Sequence, residues 1–156
     1  MAFFVWLQHT AFSLWIVQSD SIWAYPSILT AHTVGLAMLV GAAAVIDLRL
    51  LGVATDVPIA QIDGLYRFVW AGFCINLISG LLLFASEAAD KATQPIFLVK
   101  LTLVFVALIT TLRIRSTTAR VSASSVPTRR LKWLAGSSLF LWAAAITAGR
   151  LMAYFK

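Results

Sequence analysis

Four stretches of this chain are too apolar and too long to be left in water. Residues 27–46 carry no formal charge, residues 65–86 only Arg67, residues 96–112 only Lys100, and residues 131–154 only Lys132 and Arg150. A helix of about 17–25 apolar residues crosses a hydrocarbon core roughly 30 Å thick. Backbone polar groups in lipid must pair within their own segment, so the four runs are expected as helices. Composition agrees, with 61% hydrophobic and 12% charged residues against about 45–50% and about 25% in soluble domains. A water-soluble monomer is excluded. The expected fold class is all-α, an integral membrane four-helix bundle forming a single domain over residues 1–156.

Residues 2–18 pose a separate question. They are mostly apolar but interrupted by Gln8, His9, Thr10 and Ser13, and they lack a basic start and a small-residue cleavage site. The segment therefore reads as mature structure and not as a signal peptide. Its narrow polar patch on a Phe- and Trp-rich surface favours a helix lying at the membrane interface over a fifth span.

Twelve Lys and Arg against six Asp and Glu give a formal charge of +6. In a soluble protein that excess would suggest nucleic acid. Here the charges sit between apolar runs, and the basic connection is better matched to anionic lipid headgroups. Arg113, Arg115, Arg120, Arg129, Arg130 and Lys132 cluster between the third and fourth spans. Short cytoplasmic loops are rich in Lys and Arg, so this connection is expected on the cytoplasmic side of a bacterial inner membrane, with the N-terminal helix and the C-terminus on the periplasmic side. Trp23, Tyr25 and Tyr154 then suit an outer aromatic belt, and Tyr66, Trp70 and Trp133 an inner one. One cysteine, Cys74, within the second span, leaves no disulfide framework or Cys-rich metal site.

Ionisable groups at membrane depth are costly and call for a partner, a route to the interface, or a function. By the helical rise, His32 stands about 8 Å beyond Ser27, Lys100 about 6 Å beyond Ile96, and Arg150 about 6 Å before Tyr154. Three helices thus bring a histidine, a lysine and an arginine to similar depth at one end of the bundle. On one reading Lys100 and Arg150 reach the headgroups or pair with Glu87 and Asp90, while His32 bonds a neighbouring helix. On the sharper reading His32 and Gly35 share a face on which a planar haem b could rest, with His9 as a second axial nitrogen and Arg150 and Lys100 on the propionates. Metal ligation falls to the only two histidines, His32 and His9; copper suits the residues less well.

At the opposite end Asp47 lies near Arg49, Arg67 and Arg113. An Asp–Arg clamp fixing helix ends is the expected role, against a proton or ion path. Asn76, Ser79 and Thr110 are too few to line an aqueous pore and are expected to bond between helices. Small residues, including Ala37, Gly41, Gly72, Gly80, Ala145 and Gly149, recur at spacings that suit close helix packing or self-association into a homo-oligomer. Phosphate-loop, H-E-x-x-H and G-x-S-x-G patterns are all missing from the sequence, so hydrolase chemistry is not expected.

The runs Tyr25 to Gly52, Trp70 to Ala88, Phe97 to Leu108 and Trp142 to Tyr154 carry a family likeness. Most specific are the H-x-x-G of His32 and Gly35 and the D-L-R-L-L-G beginning at Asp47, supported by G-R-x-x-A-Y at Gly149. On these strings the chain resembles a family of small, largely uncharacterised bacterial inner-membrane proteins. The resemblance implies a four-helix membrane fold with His32, Asp47, Arg49, Lys100 and Arg150 as recurrent polar positions, and it supplies no activity. Relatives often carry an Asn and a His near the inner end of the third span, where this chain has Thr110 and Arg113.

Two functions are expected from different classes. One is a haem-b-binding membrane subunit passing electrons between quinone and a periplasmic partner. The other is a non-redox scaffold or accessory subunit of a larger complex, or a binder of a small anionic ligand at the His32, Lys100 and Arg150 cluster.

Overall fold

The computed structural model describes residues 2–18, 23–56, 58–119, 127–152 and 154. They form α1 (Ala2–Gln8), α2 (Ala11–Gln18), α3 (Ala24–Leu51), α4 (Ile59–Ser86), α5 (Ala88–Ala92), α6 (Pro95–Thr118) and α7 (Arg129–Leu151), with no strand among the described residues. Four of the helices, α3, α4, α6 and α7, are long and apolar enough to cross a membrane. The protein is an all-α, multi-pass membrane bundle. Arg120 and residues 124–126 of the basic connection lie outside the described residues.

The spans run longer than the apolar cores that announce them. Pro26 falls inside the first turn of α3, where its missing N–H was an orphan in any case. Pro95 opens α6 at the first helical position, which its fixed φ suits. At the far end of α3, Gly52 adopts φ 89° and its N–H reaches the Arg49 carbonyl, while the Val53 N–H reaches back to Leu48. This left-handed cap explains the glycine that closes D-L-R-L-L-G. Thr128 accepts a hydrogen bond from the Leu131 N–H and so caps α7.

The four long helices pack in the order α4, α3, α7, α6. α3 packs along α4 on one side and α7 on the other, and α7 packs along α6. Between α4 and α6 the bridging side chains stand near the two ends: Phe84 stacks on Phe97 at 5.1 Å, and the Arg115 guanidinium lies 5.3 Å from the Tyr66 ring centre. The tightest crossing is between α3 and α4. A Cβ on Gly72 would stand 2.5 Å from the Leu39 nitrogen, and one on Gly35 would stand 2.9 Å from the Asn76 nitrogen, so only glycine admits this backbone approach.

The core runs through Leu39, Ala43, Ile46 and Leu50 of α3, Ile62, Tyr66 and Val69 of α4, Ala107 and Ile114 of α6, and Leu131, Ala135 and Trp142 of α7. Leu77, Ile78, Leu81, Phe105 and Phe140 point outward, as lipid-facing side chains do. Tyr66 corrects an expectation, because it is buried in this core and not part of an aromatic belt. Trp23, Trp133 and Tyr154 are exposed near helix ends, as belt residues should be.

The N-terminal segment is not one helix. The Thr10 hydroxyl accepts from the Ser13 N–H and restarts the chain as α2, while the Ser13 hydroxyl donates to the Leu7 carbonyl. Helices of 7 and 8 residues reach only about 10–12 Å, which rules out a fifth span within 2–18. Both pack across the bundle: α1 against α4 and α5, and α2 against α3 and α4. Phe4 meets Phe84 edge to face, and Gln8 caps α5 by accepting from the Ala89 N–H. The expected polar patch is therefore a set of local caps that lock a corner.

Candidate functional site

The antiparallel run of α3, α4, α6 and α7 brings the start of α3, the end of α4, the start of α6 and the end of α7 to one end of the bundle. His32, Ser79, Lys100 and Gly149 meet there. His32 Nδ1 lies 3.0 Å from Ser79 Oγ, and that hydroxyl lies 2.6 Å from the Ile75 carbonyl, to which it donates. A serine has a single hydroxyl proton. Ser79 therefore accepts from His32, which assigns the proton to Nδ1 and leaves Nε2 with a free lone pair. Asn76 adds a second clamp by donating to the His32 carbonyl at 2.9 Å. The imidazole fits because its neighbour is Gly80, whose Cβ would stand 3.1 Å from His32 Cε1.

Lys100 approaches from the other side of the bundle. Its stem lies along Gly149 of α7, with Cε 3.5 Å from where a Cβ would be, and its charge is close enough to act on His32. No ion pair or hydrogen bond engages the ammonium among the described residues. The expected pairing with Glu87 does not form, because Glu87 binds Lys91 one helical turn away at 3.3 Å. Arg150 directly follows Gly149 and is exposed at the same end.

Two residues expected beside His32 are placed elsewhere. Gly35 is buried against Ile75 and Asn76, so α4 fills the flat face on which a planar ligand was expected to rest. His9 is exposed at the corner between α1 and α2, where its N–H donates to the Val5 and Trp6 carbonyls, whereas the His32 ring bonds Ser79. Among the described residues no group of three His, Cys, Asp or Glu side chains is placed to hold a metal ion.

No family model, curated protein or solved structure matches the chain. The chemistry must be read from the side chains themselves.

At the opposite end the expected Asp–Arg clamp is not built. Asp47 is 2% exposed and forms no ion pair among the described residues. It turns inward toward Ser138 of α7, whereas Arg67 and Arg113 lie on exposed faces. Arg49 is two residues from Asp47, a spacing that does not place two helical side chains face to face, and it has an interaction of its own. Asn76 and Ser79 do bond across to α3 as their positions suggested, while Thr110 bonds back to Val106 in its own helix.

Sequence reasoning missed Gly80 and Gly149 as beds for the two site side chains, and Ser138 as the neighbour of Asp47. A signal for Ser138 existed: Ala135, Ser138, Trp142 and Ala145 repeat at the spacing of one buried helix face.

Proposed function

We propose that this protein is a binding subunit of a bacterial inner membrane, and that its site, formed by His32 and Lys100 with Arg150 at the rim, takes a small anionic group such as a phosphate or carboxylate. The unpaired Lys100 ammonium carries the reading. A cation set among apolar helices without a carboxylate needs a counter-charge from outside the chain. The neutral His32 Nε2 would accept a hydrogen bond from a protonated oxygen of the same group, and glycine on each facing helix, Gly80 and Gly149, admits the two side chains. The excess of Arg and Lys at the Asp47 end supports a cytoplasmic location for that end and a periplasmic one for the site. The strings around His32, Asp47 and Gly149 support membership of the small inner-membrane family they resemble.

The test uses detergent-purified protein titrated with inorganic phosphate and with short-chain phosphatidic acid. Saturable binding in the wild type, weakened about tenfold or more by Lys100→Ala at unchanged helical content, supports the reading. Equal binding by both proteins overturns it. Response to the free anion alone or to the lipid alone identifies the source of the group.

A second reading, haem b held for electron transfer between quinone and a periplasmic partner, is favoured by the Nδ1 bond to Ser79. Metal-bound histidines usually donate their other ring N–H in this way. Haem would take its axial nitrogen from His32 alone, with Lys100 and Arg150 placed for its propionates, and it could not lie on Gly35. A Soret band lost in His32→Ala would favour this reading; a colourless protein from haem-replete cells would remove it.

A further inference from the structure

One side of the bundle is left open. α4 packs along α3, and α6 along α7, but α4 and α6 do not pack along each other. In their apolar stretches 17% and 11% of residues are buried, against 39% and 33% in α3 and α7. Side chains bridge the two helices at two levels, Phe84 with Phe97 and Tyr66 with Arg115. On each helix the two bridging residues are 18 positions apart, about five turns, so both bridges stand on one stripe of each helix. Between the bridges the same stripes carry Phe73 and Leu77 on α4 and Val104 and Leu108 on α6. Phe73 and Val104 pack down against the core. Leu77 is 47% exposed although its stripe is turned to α6, so the two helices leave a slit between them.

The slit begins at the anion site. Gly80, the seat of His32, comes four residues before Phe84, and Lys100 comes three residues after Phe97. Both therefore stand about one turn inside the Phe84–Phe97 stack. The Lys100 stem runs to Gly149 of α7, on the core side of the slit. From Lys100 to Arg115 the slit extends about 22 Å along the helix axis. One leaflet is shorter, about half of a hydrocarbon core roughly 30 Å thick.

We propose that the ligand of the anion site is a long-chain fatty acid, its carboxylate on Lys100 and its hydrocarbon chain laid along the slit between α4 and α6. The proposal rests on the anion-binding reading above and names the ligand of that site. Charge complementarity selects the head: one ammonium without a partner among the described residues balances one carboxylate. Access selects the same class. The slit opens sideways to lipid beneath the ring stack, and a carboxyl group in an apolar medium takes up a proton and enters neutral, whereas a phosphate stays charged. Inside, it loses that proton to water at this end of the bundle, where Arg150 is exposed. The chain suits the walls as well. Helices that pack closely in lipid present Gly, Ala or Ser, but Leu77, Leu81, Leu101 and Phe105 stand out from α4 and α6, so a thin hydrocarbon chain fits here better than a second copy of the protein.

The experiment is a binding titration of the full chain in detergent with butyrate, octanoate and decanoate, and with inorganic phosphate as the small-anion reference, uptake by protein-free micelles being subtracted. Decanoate is expected to bind one per chain and at least about tenfold more tightly than butyrate, because each further methylene leaves water. Leu77→Trp, which fills the slit from α4, should abolish that gain and leave phosphate binding unchanged; Leu108→Trp does the same from α6 and answers if the first variant fails to fold. Equal affinities for butyrate and decanoate overturn the proposal, as does a decanoate gain that survives in both folded variants; a second copy or ordinary bilayer lipid then fills the slit. In either case phosphate binding that is weakened by Lys100→Ala leaves the anion site standing, and phosphate binding indifferent to Lys100→Ala removes that site together with the proposal.

Discussion

The two ends of this bundle handle polarity in opposite ways. At the His32 end the polar side chains are pinned by partners from the next helix, while the lysine beside them stays unpaired among the described residues, and glycines make room for the imidazole and the lysine stem. At the Asp47 end the volume is closed by Ile46, Leu50, Tyr66, Ala135 and Trp142, and the oxygens inside that seal are unpaired. One end carries a surplus of positive charge that a ligand can approach, and the other a negative charge that nothing large can reach. A membrane bundle can hold a charge by giving it a route to the surface or by enclosing it among packed side chains, and these two regions divide the options between them.

What holds the two regions in register is the α3–α4 crossing, and the largest effect is expected there. Gly72→Ala would place a methyl group 2.5 Å from the Leu39 nitrogen and 2.7 Å from the Gly35 carbonyl oxygen. Both are backbone atoms, so the helices must separate. A loss of about 3 kcal/mol in detergent unfolding is expected, with anion binding at the His32 end lost as well. Gly41→Ala, where nothing lies within 4 Å, is the control and should stay within about 0.5 kcal/mol of wild type. Equal effects at the two positions would break the comparison by showing that the crossing joins nothing.

The next effect separates the ends. A double-mutant cycle on His32→Ala and Ser79→Ala should give a coupling of about 0.6–1.7 kcal/mol, the range for hydrogen bonds between membrane helices. Trp142→Phe, which removes the indole N–H donated to Thr111 at 3.3 Å, should cost about 1 kcal/mol and leave anion binding at the His32 end unchanged. A Trp142→Phe effect on that binding would show that the regions are not independent.

How much of this was legible in the sequence follows the same division. Hydrophobic run length identified the four spans because lipid imposes one solution on the backbone, and antiparallel counting brought His32, Lys100 and Arg150 to one level. Rotation about α3 and α4 was not legible. The strings contain nothing to say that Gly35 turns to α4, that Asp47 turns to α7, or that Tyr66 turns inward, because lipid and core are equally apolar and leave no periodic contrast to read. The same ambiguity made Gln8, Thr10 and Ser13 look like a wet face, when they are caps at a corner whose existence depends on α4 and α5.

Smaller effects distinguish the two glycine beds within the His32 end. Gly80→Ala brings a methyl group 3.1 Å from His32 Cε1, and the ring, held at Nδ1 by Ser79, has little freedom to yield. About a tenfold loss of anion affinity is expected, equivalent to about 1.4 kcal/mol. Gly149→Ala meets only the flexible stem of Lys100, at 3.5–3.8 Å, which is ordinary contact. Replacing a mid-helix glycine also removes backbone freedom from the unfolded chain, worth up to about 1 kcal/mol. The expected outcome is unchanged or slightly raised stability, with affinity altered less than about twofold, since a lysine can restore its ammonium position by rotating bonds that an anchored imidazole cannot. Should Gly149→Ala weaken binding as much as Gly80→Ala, the fixed element of the site would be the lysine rather than the histidine.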